Sequence, residues 1–377
     1  MKFEYVAYAV FIALVMAAPL FLQEFWLNRL AKYLVYGMLG IAIALSWGFA
    51  GILNLGQGLF FGAGAYMVAM SLKLASATSM AQGSNTPVPD FMLWNAEPGA
   101  KTALCCINKG SFLWIPFQSQ WFGTAMGLVL PIVFAALIGA IVFRKRISGV
   151  FVAIITLALV LLFRLLVIDA QPLTNGFNGL TDLGLWAVGS ARFDPYDVKT
   201  YYLVAVTLSI ILIGTRLLVA TRAGLILQAI RDDQNRARFL GFNVPLYQTF
   251  FFCVCAGISG IAGMLYVIVA QFASPTFLDL TFSITMVVWA AVGGRASLLG
   301  ACIGAIVINM IEATVSETPA FVEVWKVVIG LAFILSVLYM PRGLAGIAED
   351  FAAWISRSKA TDHGPAITEA GRPQAVE

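Results

Sequence analysis

Apolar residues run along this chain in long blocks, parted by short polar or glycine-rich connections. A bilayer core is crossed by about 20 apolar residues in a helix. The pattern predicts spans over 5–22, 30–50, 55–74, 121–143, 149–170, 200–220, 246–270, 281–293, 297–316 and 324–340. The block at 281–293 is too short to cross alone unless it is tilted, broken or extended into the preceding loop. The expected fold is all-α and polytopic, about ten transmembrane helices with one short broken or re-entrant segment. One membrane domain is expected over 1–349, followed by a polar tail over 350–377 that is disordered at its end. The first block follows a single lysine; a cleaved signal peptide would look similar, but its length suits a retained helix.

Composition strengthens this reading. Apolar residues make up 60% of the 377 and charged ones only 11%, against about a quarter charged in a soluble domain. Lipid must be the solvent for much of the surface. The formal charge of +4 gives no reason to invoke nucleic acid. His363 is the one histidine and falls in the tail, which removes histidine-based metal sites and base chemistry from the membrane body. Cys253, Cys255 and Cys302 lie in apolar blocks and read as small buried residues, while the adjacent Cys105 and Cys106 are badly placed to bridge each other. No disulfide framework, metal or cofactor is expected.

Charge placement sets the expected sidedness. With the N-terminus cytoplasmic, Lys2, Arg144, Lys145, Arg146, Arg216, Arg222, Arg231, Arg236, Arg238, Arg295, Arg342, Arg357, Lys359 and Arg372 all fall inside, which is most of the 23 basic residues. Both termini are then cytoplasmic. Two long loops fall outside. Residues 75–120 are rich in proline and tryptophan, and 171–199 hold the turn-forming run Asn175-Gly176-Phe177-Asn178-Gly179-Leu180-Thr181-Asp182. The second is either a connector or a docking surface for an external partner.

The longest internal connection, 221–247, predicts a short helix over 223–240, ended by Gly241 with Pro245 beyond. Leu225, Ala229, Ala237 and Leu240 share one stripe of it, with Arg231, Asp232, Arg236 and Arg238 around them. Such a helix lies on the bilayer or docks into a groove of another protein. Glycines cluster after Trp47, through Gly51 and Gly56, and after Trp289, through Gly293 and Gly294. They read as close-packing positions, or as helix breaks at a transport pathway in two corresponding halves of the chain.

Polar groups at membrane depth face the protein interior as a rule. Asn54 with Gln57 and Asn309 with Glu312 share helix faces, and Arg164 and Asp169 lie toward the outer end of their span. Asn54, Gln57, Asn309, Glu312 and Arg164 are the candidate translocation pathway. Arg164 and Glu312 are expected to pair, as a structural ion pair or a substrate contact. No GxxxxGK[ST], HExxH or GxSxG motif occurs, so energy for uphill transport would enter through a partner.

The run Ala229-Ile230-Arg231-Asp232 with Ala237, Gly241 and Val244 resembles the coupling loop of ABC importer permeases for branched-chain amino acids and urea. Leu53-Asn54-Leu55-Gly56-Gln57-Gly58 and the stretch around Gly293-Gly294-Arg295 resemble the same family, and the likeness covers about 25–345. Within it the chain looks like the longer, LivM-type subunit. Pro89-Asp90-Phe91-Met92 and Asn178-Gly179-Leu180-Thr181-Asp182 are similar to runs of the urea-type branch, whereas Gln234, Gln248 and Thr285 depart from the common pattern and leave the solute open.

The resemblance implies a bacterial inner-membrane heterodimer with a second permease. It also implies two ABC ATPase subunits docked on Ala229, Ile230, Arg231, Asp232, Ala237 and Gly241, and a periplasmic solute-binding protein. ATP-driven closure of the ATPases would push on 223–241 and switch a bistable pore. The expected cargo is urea, a short amide or a branched-chain amino acid. An autonomous channel or secondary transporter is the alternative, although a carrier normally shows more buried carboxylates. A membrane-embedded enzyme or scaffold is a third reading, for which no catalytic constellation is visible.

Overall fold

A computed structural model describes residues 2–77 and 115–317, with the single positions 89, 91, 327, 330, 331, 334, 343, 344 and 346. Its helices are α1 (Lys2–Ala17), α2 (Glu24–Ile43), α3 (Gln57–Ala75), α4 (Gln120–Arg144), α5 (Val150–Asp169), α6 (Val198–Ala220), α7 (Arg222–Asp232), α8 (Gln234–Phe239), α9 (Val244–Ala270), α10 (Leu280–Gly293) and α11 (Leu298–Glu317). A π-helical turn, Ala44–Phe49, extends α2. Seven helices are long and apolar enough to cross a membrane, and two shorter apolar helices, Tyr5–Leu20 and Leu280–Gly293, accompany them. The block at 324–340 lies outside the described residues, as do most of 75–120, Cys105, Cys106 and the tail from 350.

The bundle is built round α2, α3, α4 and α9. Burial orders the helices: 83% of the span of α9 is buried but only 22% of α5, whose apolar side chains face outward. Small residues make the centre possible, because packing replaces the hydrophobic drive between helices in lipid. A side chain on Gly64 would meet the backbone of Gly260, and one on Gly263 the backbone of Phe61. Pro131 inside α4 is seated on Gly260, 2.8 Å from where a Cβ would stand. At one end of the bundle, Arg29 forms a two-pronged ion pair with Glu317 and stacks on Phe25 and Trp26, tying the start of α2 to the end of α11.

The loop over 171–199 turns as its composition predicts: Asn175, Gly176, Gly179 and Asp182 all have positive φ. It also forms a small antiparallel hairpin, Trp186–Val188 with Ala191–Phe193, a local departure from an all-helical chain. Gln120 at the start of α4 bonds both the N–H and the carbonyl of Ala187. The Asn178–Thr181 run contacts its own protein, with Leu180 and Ala273 exchanging backbone bonds of 2.8 Å.

The single helix expected over 223–240 is two helices. Asp233 takes an extended conformation, φ −155° and ψ 102°, and its carboxylate accepts from the N–H groups of Asn235 and Arg236, capping α8. Capping competes with helix continuation, which is why the Asp232-Asp233 pair breaks the run. The break also changes which residues are buried. Ile230, Ala237 and Val244 form a small core under Ile226 and Tyr247. Leu225, Ala229 and Leu240 point outward, so the expected four-residue stripe is split and Ala237 belongs to the opposite face. Gly241 ends the unit at φ +88°, as predicted.

Candidate functional site

The chain between α9 and α10 folds back into the bundle. The Phe277 ring meets Phe61 at 5.2 Å and Tyr266 at 5.3 Å, and its carbonyl lies against Gly58 in the first turn of α3. The short block therefore begins from a broken, inward-dipping segment in which Pro275, Phe277 and Leu278 are buried, and Asp279 stands at the N-cap of α10. Beside that start is a cavity of about 310 Å³. Tyr36 of α2, Tyr266 of α9, Phe272, Phe277, Phe282 and Trp289 form its aromatic walls; Thr276, Asp279, Thr281, Thr285, Asn309 and Glu312 give it polarity. Tyr36 lies 5.0 Å from Trp289 and 5.6 Å from Tyr266, ring centre to ring centre.

Asn309 lines the cavity and donates its amide Nδ2 to the Ala305 carbonyl at 2.7 Å. Glu312, one turn on, brings a carboxylate to the same wall. The expected Arg164–Glu312 pair is not what the structure shows. Arg164 approaches Asp279 instead, Nη2 to Oδ2 at 4.0 Å. Asp279 makes no side-chain cap for α10, so its carboxylate is available for that ion pair. Depth counted along separate helices matched Arg164 with Glu312; the inward fold of 271–279 placed a nearer acid beside it.

Asn54 and Gln57 do not line the cavity. Both are buried at 1% exposure and satisfy each other. Asn54 Nδ2 donates to Gln57 Oε1, the Gly56 N–H donates to Asn54 Oδ1 at 2.8 Å, and Gln57 Nε2 donates to the Cys255 carbonyl at 3.4 Å. This knot closes the gap between α2 and α3. Asn54→Ala removes two partners from buried groups and is expected to cost about 1–3 kcal/mol, read as a lower thermal midpoint in detergent. An unchanged midpoint would show that the knot is not structural.

The glycine clusters divide by role. Gly51 and Gly294 have φ of +68° and +112° and are the chain breaks. Gly56, beside Thr156, and Gly293, beside Gly300 and Ala301, are close approaches. The two clusters touch: Gly48 lies against the Arg295 carbonyl, and the Arg295 guanidinium sits 5.3 Å over the Trp47 ring. Below them lies α7. Ile230 and Ala237 are buried and hold the α7–α8 unit to the bundle. Ala229, Arg231 and Asp232 are on the exposed side, with Leu225 at 60%, Phe239 at 91% and Leu240 at 76% exposure.

Sequence reasoning missed Tyr36, Tyr266, Phe282, Trp289 and Asp279. Aromatic residues within apolar blocks carry no sign of whether they face lipid or a cavity. Asp279 carried a usable sign: an acid at the start of a block too short to cross.

Apolar helices of crossing length packed round a cavity of this kind define a multi-pass membrane protein. Residues 25–337 match the family described as the permease component of the branched-chain amino acid transport system, and the chain belongs to that family. It is 24% identical over 358 residues to the high-affinity branched-chain amino acid transport system permease protein LivM of Escherichia coli K12, covering 88% of this chain and 73% of LivM. It is 22% identical over 196 residues to the ribose import permease protein RbsC of Haemophilus influenzae, covering 49% of this chain and 59% of RbsC. Against LivH of Salmonella typhimurium it is 29% identical over 170 residues, 44% of this chain and 54% of LivH. No solved structure matches the chain.

Proposed function

We propose that this chain is the transmembrane permease subunit of an ATP-driven ABC importer in a bacterial inner membrane. It pairs with a second permease, two ATPase subunits and a periplasmic solute-binding protein. The observation that carries this reading is the α7–α8 unit. It is anchored to the bundle through Leu227, Ile230 and Ala237, yet presents Leu225, Phe239 and Leu240 outward. Apolar side chains at a bundle end that also carries Arg222, Arg236 and Arg238 suit a protein partner on the cytoplasmic side. Arg144, Lys145 and Arg146 after α4 and Arg295 after α10 belong to the same end, in keeping with both termini inside.

The cavity supports a solute that is small, partly apolar and carries an ammonium group. Aromatic faces attract such cations, and Glu312 offers a charge-assisted bond. A branched-chain amino acid meets that description better than urea, which is neutral; urea and short amides are the competing cargo, for which the Asn309 amide would serve.

Leu225→Asp combined with Phe239→Asp is expected to leave the chain in the membrane but to strip the ATPase subunits from the purified complex. Full co-purification would remove the handle reading. Uptake by the intact complex that continues without ATP would favour a channel or secondary transporter. Competition between leucine and urea in the same vesicles decides the cargo.

A further inference from the structure

The end of α2 leaves a carbonyl that no helix turn can serve. Ala50 donates to the Leu45 carbonyl and Ile52 to that of Ser46, after which the chain departs from the helix. Carbonyls at a helix end need a partner from elsewhere. For Gly48 that partner is Arg231 of α7, whose Nη1 donates to it at 2.7 Å. The same guanidinium is oriented by Asp232, through Nε at 3.0 Å and Nη2 at 2.9 Å. Its stem lies across Gly51, where a Cβ would come within 2.8 Å of the Arg231 Cγ. Gly51 thus serves twice, supplying the left-handed turn and the room for the arginine.

Gly48 is held from its other side as well. It abuts the carbonyl of Arg295 in the turn between α10 and α11, and Arg295 stacks on Trp47. Trp47 and Gly48 are therefore clasped between α7 and the α10–α11 turn. Three walls of the cavity hang from this clasp: Tyr36 on α2, Trp289 on α10 and Glu312 on α11. Apolar packing of Leu227 and Ile230 transmits a push on α7, because atoms in contact resist approach. It transmits a pull poorly. A charge-assisted bond between α7 and the α2 backbone resists separation and fixes direction.

We infer that Arg231 is a positioning residue that carries movement of α7 into the cavity walls through its bond to the Gly48 carbonyl, and is not primarily a surface contact for the ATPase. The inference rests on the importer reading above. It predicts that loss of the bond separates ATP hydrolysis from solute movement.

The experiment uses the complete complex in liposomes, with binding protein, and follows labelled leucine uptake, ATP hydrolysis and subunit stoichiometry together. For R231A the ATPase subunits are expected to co-purify fully, hydrolysis to stay within about twofold of the unmutated complex, and solute moved per ATP to fall at least tenfold. R231K keeps a donor on a flexible stem and is expected to recover a substantial part of that ratio. An unchanged ratio in R231A overturns the inference, and so does loss of the ATPase subunits, which would make Arg231 a docking residue. If R231A does not reach the membrane, D232N decides. It removes only the carboxylate that orients the guanidinium, and a ratio at least threefold lower supports the link, whereas an unchanged one overturns it. ATP-independent uptake by the unmutated complex would instead overturn the importer reading, a failure visible before any variant is compared.

Discussion

Gly64→Val is expected to leave little folded protein in the membrane. The new side chain would enter the crossing of α3 and α9, where the Gly260 backbone already occupies its place. Neighbouring contacts allow no retreat. Gly260 is wedged against the Gly127 carbonyl and Pro131 of α4, and Gly263 against the Phe61 carbonyl. Overpacking that displaces side chains costs about 1–3 kcal/mol; here two backbones must part, which breaks the central helix trio together. Gly214→Val on α6 is the matched control, since a Cβ there meets nothing within 4 Å. Size-exclusion profiles in detergent check the pair. A sharp peak with an unshifted melting point for Gly64→Val would mean that the crossing is looser than its contacts indicate.

Glu312→Ala is expected to reduce uptake about 10- to 100-fold at low solute concentration, if an ammonium group binds where we propose. A hydrogen bond to a charged partner is worth about 1.5–3 kcal/mol, and each 1.4 kcal/mol is about tenfold in affinity. Asp279 cannot substitute, because Arg164 already approaches it. Glu312→Gln keeps the shape and removes the charge, and should fall between the two. Uptake as a function of solute concentration checks this, with subunit stoichiometry confirming assembly. Should Glu312→Ala leave leucine uptake intact while Asn309→Ala abolishes urea uptake, the cavity would belong to the neutral solute.

Much of the architecture was legible because lipid leaves the backbone few options: the long apolar helices among the described residues coincide with predicted blocks, though α2 starts at Glu24 rather than near 30 and α1 ends at Ala17 rather than near 22. Length alone marked the block at 281–293 as too short to cross by itself, with tilt, a break or extension into the preceding loop all left open. The contacts inside the bundle were less legible. Treating 223–240 as one helix put Ala237 in phase with Leu225, whereas the cap at Asp233 resets the phase and buries Ala237 beside Ile230. Asn54 and Gln57 read as pathway residues because polar groups at depth usually serve function, yet here they satisfy one another. The Arg164 partner was misassigned because pairing by depth considered only polar groups inside the apolar blocks, and Asp279 lies between two of them. In each case a local irregularity of backbone, unseen in apolar periodicity, decided what touched what.

The π turn at Ala44–Phe49 bears on how this chain tolerates length change. Each bond there encloses one residue more than in the α-helical stretch before it, so the turn stores an inserted residue. Deleting one of the six would let the turn relax into ordinary α geometry while the stretches on either side keep their facing, whereas a deletion earlier in α2 would rotate everything beyond it by about 100°. With that earlier deletion the Gly48 carbonyl would swing off Arg231, and the Trp47 ring would swing off Arg295. The turn is therefore the place along α2 where losing one residue would least disturb what lies beyond it.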